Sequence, residues 1–119
     1  MFQDFKVDIL GTEYAVCFVD EFPERLGEYQ DNADGLCNRY SREIFVKRCK
    51  DKSVTEQGRE RSEKDTLRHE LLYAYFAESG LSANASPTYS SWAENEEMVD
   101  WFAIQSPKIF KTFTEVGCL

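Results

Sequence analysis

The residues best equipped for chemistry lie within five positions, His69-Glu70-Leu71-Leu72-Tyr73, and a second group of carboxylates follows in Glu94-Asn95-Glu96-Glu97. On a helix, residues four apart project from one face. A histidine at each of positions 69 and 73 would grip one zinc ion, and the glutamate between them would take the proton of a metal-bound water. A carboxylate from a later helix is a usual third protein ligand. Position 73 is instead a tyrosine, whose phenol, with an ordinary pKa of about 10, is protonated near neutral pH and ligates poorly. His69 is the single histidine of the chain, so a site that needs two imidazoles from one chain is excluded. Structural roles compete with this chemistry. A lone helical histidine is most often a surface or hydrogen-bonded residue, and Glu94, Glu96 and Glu97 suit the positive end of a helix dipole with no metal present.

These residues need a long helix to carry them. Leu67, Leu71, Leu72, Ala74, Tyr75 and Phe76 follow a 3.6-residue period. Gly80 is placed to end the helix in the left-handed conformation after Ser79. The start is open between two capping boxes, Ser53…Glu56 and Ser62…Asp65, with Gly58 weighing against the earlier one, and the helix proper is expected over 63–79. Ser91-Trp92-Ala93-Glu94 is a third capping box, predicting a helix through about Gln105. Ser106-Pro107 then predicts a break and a last short helix with Ile109, Phe110 and Phe113 inward.

Upstream, Phe5, Val7 and Ile9 alternate with polar neighbours, Gly11 marks a turn, and 14–19 reads as the returning strand. Residues 21–34 read as an exposed loop with one helical turn. A second hairpin follows, with strands 35–40 and 43–47 turning at Ser41-Arg42. Strands precede helices, so the expected class is α+β in a single domain over 1–119: two hairpins within 5–49, the helix of the His-Glu motif within 50–80, and C-terminal helices within 91–117.

Composition narrows the function. Acidic residues number 22 against 14 basic, for a formal charge of −8. Such a surface repels phosphates, so direct binding of nucleic acid is not expected. No apolar run approaches the ~20 residues of a membrane span, and the first ten residues lack the pattern of a signal peptide. Cys17, Cys37, Cys49 and Cys118 form no Cys-x-x-Cys knuckle, so free thiols in a reducing cytoplasm are expected. The acidic stretch from Asp20 to Asp34 is a candidate surface for docking on a basic, nucleic-acid-binding protein.

The segments 66–81, TLRHELLYAYFAESGL, and 92–108, WAENEEMVDWFAIQSPK, together resemble two helices of small zincin-like proteins encoded by phages and prophages, relatives of the ImmA/IrrE and SprT-like metallopeptidases. The hairpin 35–47 resembles the strand pair before the active helix, so the similarity extends over about residues 5–116. The resemblance implies a minimal zincin-like fold, with a small, mainly antiparallel sheet packed against the active-site-type helix and two C-terminal helices. It implies His69 as first zinc ligand, Glu70 as general base, and Glu96 as the metal-binding carboxylate, with Glu97 in its place if the alignment slips by one. Tyr73 stands where the second ligand belongs. With that ligand replaced, zinc binding is expected to be weak and metallopeptidase activity impaired or lost. The resemblance then implies a cytoplasmic protein of a bacterial host that acts by binding a host or phage protein, as an inhibitor of host defence would. The alternative it leaves open is an active zinc-dependent metallopeptidase with a non-standard ligand set drawn from His69, Glu96 or Glu97, and Tyr73 or a second water.

Overall fold

Alternating apolar residues pair into strands where a turn lets them meet. In the computed structural model, which describes residues 2–27, 32–84 and 92–119, β1 (Phe5–Ile9) and β2 (Thr12–Val19) form the first hairpin. Leu10 and Gly11 both have positive φ, 50° and 92°, as a two-residue turn matched to strand twist requires. The Asp8 carboxylate accepts the Gly11 N–H and holds that turn. β3 (Gly35–Asn38) and β4 (Glu43–Lys47) form the second hairpin. There the Asn38 side chain accepts the N–H groups of Tyr40 and Ser41.

The sheet order is β1-β2-β4-β3. Both hairpins are antiparallel, as expected, and they join through a parallel β2–β4 pair. The edge strand β3 has no second strand beside it among the described residues. Tyr14, Val16 and Phe18 of β2 alternate inward, and with Ile9, Ile44, Val46 and Ala74 they form the buried core. Leu67 and Leu71 pack against it from the helix above. The Tyr14 hydroxyl, at the core's margin, donates to Glu78 at 2.8 Å.

That helix, α1 (Glu56–Glu78), begins earlier than the expected 63–79 and from neither predicted capping box. Ser53 is engaged elsewhere: its N–H and hydroxyl both donate to Asp51. Thr55 takes the N-cap, its hydroxyl accepting the Gly58 N–H at 3.0 Å. Gly80, at φ +86°, ends the helix as expected.

The C-terminal region corrects the sequence reading. One helix, α2 (Glu96–Glu115), replaces the two expected, and Pro107 lies inside it. Its cap is Asn95, whose side chain accepts the Met98 N–H. A short turn at Trp92–Glu94 precedes it, and the predicted Ser91 cap lies outside the described residues. Proline 107 has no N–H for the carbonyl four residues back, Ala103. The Nε of Arg68, on α1, donates to that carbonyl instead. A residue distant in sequence therefore satisfies the group that a helix break would have freed.

Candidate functional site

The site forms where α1 crosses the N-terminal end of α2 above the edge strand. Residues 66, 69, 70 and 73 share one side of α1 because they are three and four apart. β3 approaches that side closely. A Cβ on Gly35 would lie 2.6 Å from Thr66 Cγ2, 2.9 Å from Glu70 Cγ and 3.1 Å from the Phe45 carbonyl. Only glycine lets the strand lie this near the helix.

Between these elements is a pocket of about 560 Å³, lined by Gly35, Leu36 and Cys37 of β3, by His69, Glu70 and Tyr73, and by Glu96 and Asp100 of α2. The His69 Nδ1 lies 2.8 Å from Asp100 Oδ1. This leaves its Nε2 facing Glu96 Oε2 at 3.5 Å and Glu70 Oε1 at 3.8 Å. Tyr73 donates its hydroxyl to the other oxygen of Glu96 and sets its ring edge-on to the imidazole, 5.2 Å between centroids.

Glu70 is the buried member of the cluster, 6% exposed. Burial, and secondarily the charge of Glu96, push its carboxyl up to about 8. Burial also pushes the Cys37 thiol up to about 12, with Glu70 and Glu78 adding to the effect. Glu96 and Asp100 are exposed at the mouth, so the site grades from a buried carboxyl at its floor to an exposed, acidic rim.

His69, Glu70, Tyr73 and Glu96, singled out from the sequence, are thus brought to one pocket. Glu97, the alternative carboxylate, is exposed and is not among the lining residues. Asp100 was not anticipated. Its signal was the four-residue spacing Glu96…Asp100, which puts both carboxylates on one face of a helix. His69, Glu96 and Asp100 each offer a donor atom within 4.8 Å of the others. The 2.8 Å contact at Nδ1 gives Asp100 a particular part, because a histidine that ligates through one nitrogen usually donates its other N–H to a carboxylate. A cation would therefore meet Nε2 of His69 and the carboxylate of Glu96, with Asp100 orienting the imidazole from behind.

The acidic stretch 20–34 is less uniform than its composition implies. Asp20 pairs with Lys50 at 3.2 Å, Arg25 within the stretch pairs with Glu43 at 2.8 Å, and Glu28 and Asp31 lie outside the described residues. Comparison with protein-family models, with curated proteins and with solved structures found no match.

Proposed function

We propose that this chain is a zincin-like protein whose metallopeptidase chemistry is impaired, and that it works by binding another protein through the pocket and the β3 edge beside it. The observation that carries this reading is the Tyr73–Glu96 hydrogen bond. At the position of a second nitrogen ligand stands a phenol, whose hydroxyl donates to one oxygen of the carboxylate that would otherwise ligate. With His69 tied to Asp100 as well, the cluster is internally paired without a cation. Its donors toward zinc reduce to one imidazole nitrogen, one carboxylate and a phenol, a set that fits zinc poorly. The half-buried outer edge of β3 suits an extended polypeptide, because unpaired N–H and C=O groups of an edge strand accept a further strand. Partner capture from a bacterial lysate is the direct test of the binding role, and recovery of no specific protein counts against it.

The metal half of the proposal is tested by zinc titration of metal-free protein, followed by calorimetry and by metal analysis after dialysis. Zinc well below one ion per chain is expected, and Tyr73→His should raise zinc affinity at least about tenfold by restoring the second imidazole. One observation favours a second reading, an active metallopeptidase: the Asp100–His69 pair and the buried Glu70 keep the geometry of a histidine ligand and a water-activating base. Stoichiometric zinc in the unmodified chain, with peptide hydrolysis abolished by Glu70→Gln, would establish that reading and overturn the first.

A further inference from the structure

A surface helix normally turns polar residues outward and apolar ones inward. α2 obeys the rule on its inner side, where Val99, Ala103 and Ser106 are buried. On the opposite side it does not. Glu97, Trp101, Ile104, Lys108 and Lys111 follow one another at spacings of four, three, four and three, the repeat that keeps residues on a single helical seam. All five are exposed, Trp101 at 56% and Ile104 at 49%. Two large apolar side chains thus occupy the middle of the line that faces farthest from the body. Nothing in the pocket uses them.

The charges on this seam are ordered. The acidic residue, Glu97, lies before the apolar pair, and the basic residues, Lys108 and Lys111, lie after it. Laid antiparallel on a copy of itself, such a seam complements itself. Placed parallel, it sets glutamate against glutamate and lysine against lysine. We propose that the outward face of α2 is a self-pairing surface, on which two copies of this chain dock antiparallel about a two-fold axis at Ile104, with Glu97 of each facing Lys111 of the other. Ile104 then meets Ile104 of the second copy, and Trp101 lies against Lys108 of the second copy, where the ammonium meets the indole face. Such an interface is isologous, so each contact occurs twice. Lys111 at present reaches Glu115 on its own helix at 3.8 Å, an exposed pair that costs little to exchange. A single helix pair buries less than the ~800 Å² per partner of a standard interface, and two chains of net charge −8 repel, so the dimer is weak and concentration-dependent.

Sedimentation equilibrium of the full chain over a concentration series tests this directly. A monomer–dimer equilibrium is expected. Ile104→Glu, at an exposed position where folding is checked by circular dichroism, should abolish it. Lys111→Glu should raise the dissociation constant about tenfold or more, since both symmetry-related pairs turn repulsive. Adding Glu97→Lys to Lys111→Glu should restore the original constant by exchanging the charges. A chain monomeric at roughly 1 mM, where even millimolar affinities register, overturns the proposal. So does a dimer indifferent to Ile104→Glu, or a charge exchange that fails to restore pairing.

Discussion

At the scale of single residues, chemical behaviour follows from where the chain places a group rather than from its type. Four cysteines share one intrinsic chemistry, yet their surroundings differ. Cys118 is exposed, whereas Cys37 faces the pocket with its thiol pushed up to about 12 by burial and by two carboxylates. The thiolate is the reactive form. At pH 8, Cys37 therefore carries about a thousandfold less thiolate than a thiol at its ordinary value of 9.0. Iodoacetamide labelling followed by mass spectrometry should modify Cys118 first and Cys37 last. Glu70→Gln should quicken Cys37 only modestly, since burial and not the carboxylate is the main cause. Labelling of Cys37 at the rate of Cys118 would show that the pocket floor is open to water.

At the scale of elements, the Arg68–Ala103–Pro107 arrangement explains how a helix passes through a proline. Arg68→Ala leaves the buried Ala103 carbonyl without its donor and should cost about 1–3 kcal/mol in urea unfolding. Pro107→Ala returns the missing backbone N–H to the same carbonyl. It should recover most of that loss when combined with Arg68→Ala, a coupling that a double-mutant cycle measures. Strictly additive effects would show that Arg68 holds α2 in some other way. The same arrangement marks the limit of what the sequence discloses. The two hairpins were legible because Gly11 and the 39–42 turn act within a few residues. The end of α1 was legible because Gly80 is its own signal. The helix break at Ser106-Pro107 was misread because the compensating donor comes from 35 residues away. The N-cap at Thr55 was missed because Asp51 draws Ser53 out of competition. In the site, the spacing 69–70–73 and the carboxylate at 96 could be read directly. Asp100 shares the face of Glu96 on the expected helix too, but its pairing with His69 Nδ1 comes from the packing of α1 on α2, which no local spacing announces.

At the scale of the whole molecule, ionisable groups whose surroundings differ between the folded and unfolded chain set the pH range of stability. Carboxylates held below their ordinary values stabilise the fold when charged. Arg25 hydrogen-bonds Glu43 at 2.8 Å and holds it below its ordinary 4.5, and hydrogen bonds from Thr12 and Tyr14 do the same for Glu78. Their contribution is present above about pH 4.5 and is lost as pH falls through their lowered folded values. Glu70 acts in the opposite sense. In the metal-free protein its pKa rises from 4.5 to about 8, so the folded state binds a proton that the unfolded state has released. Its contribution is full below about 4.5 and is lost as pH rises toward 8. Stability of the chelator-treated chain should therefore peak near pH 5 and decline toward pH 8, with a slope from this one group that approaches ~1.4 kcal/mol per pH unit. Glu70→Gln, which keeps the shape and removes the titration, should flatten the alkaline limb and leave the acid limb in place. Thermal unfolding in a pH series, with chelator throughout, measures both limbs. Stability that climbs between pH 5 and 8, or an unchanged decline in the glutamine variant, would mean that the pocket floor hydrates freely enough to hold Glu70 as a carboxylate.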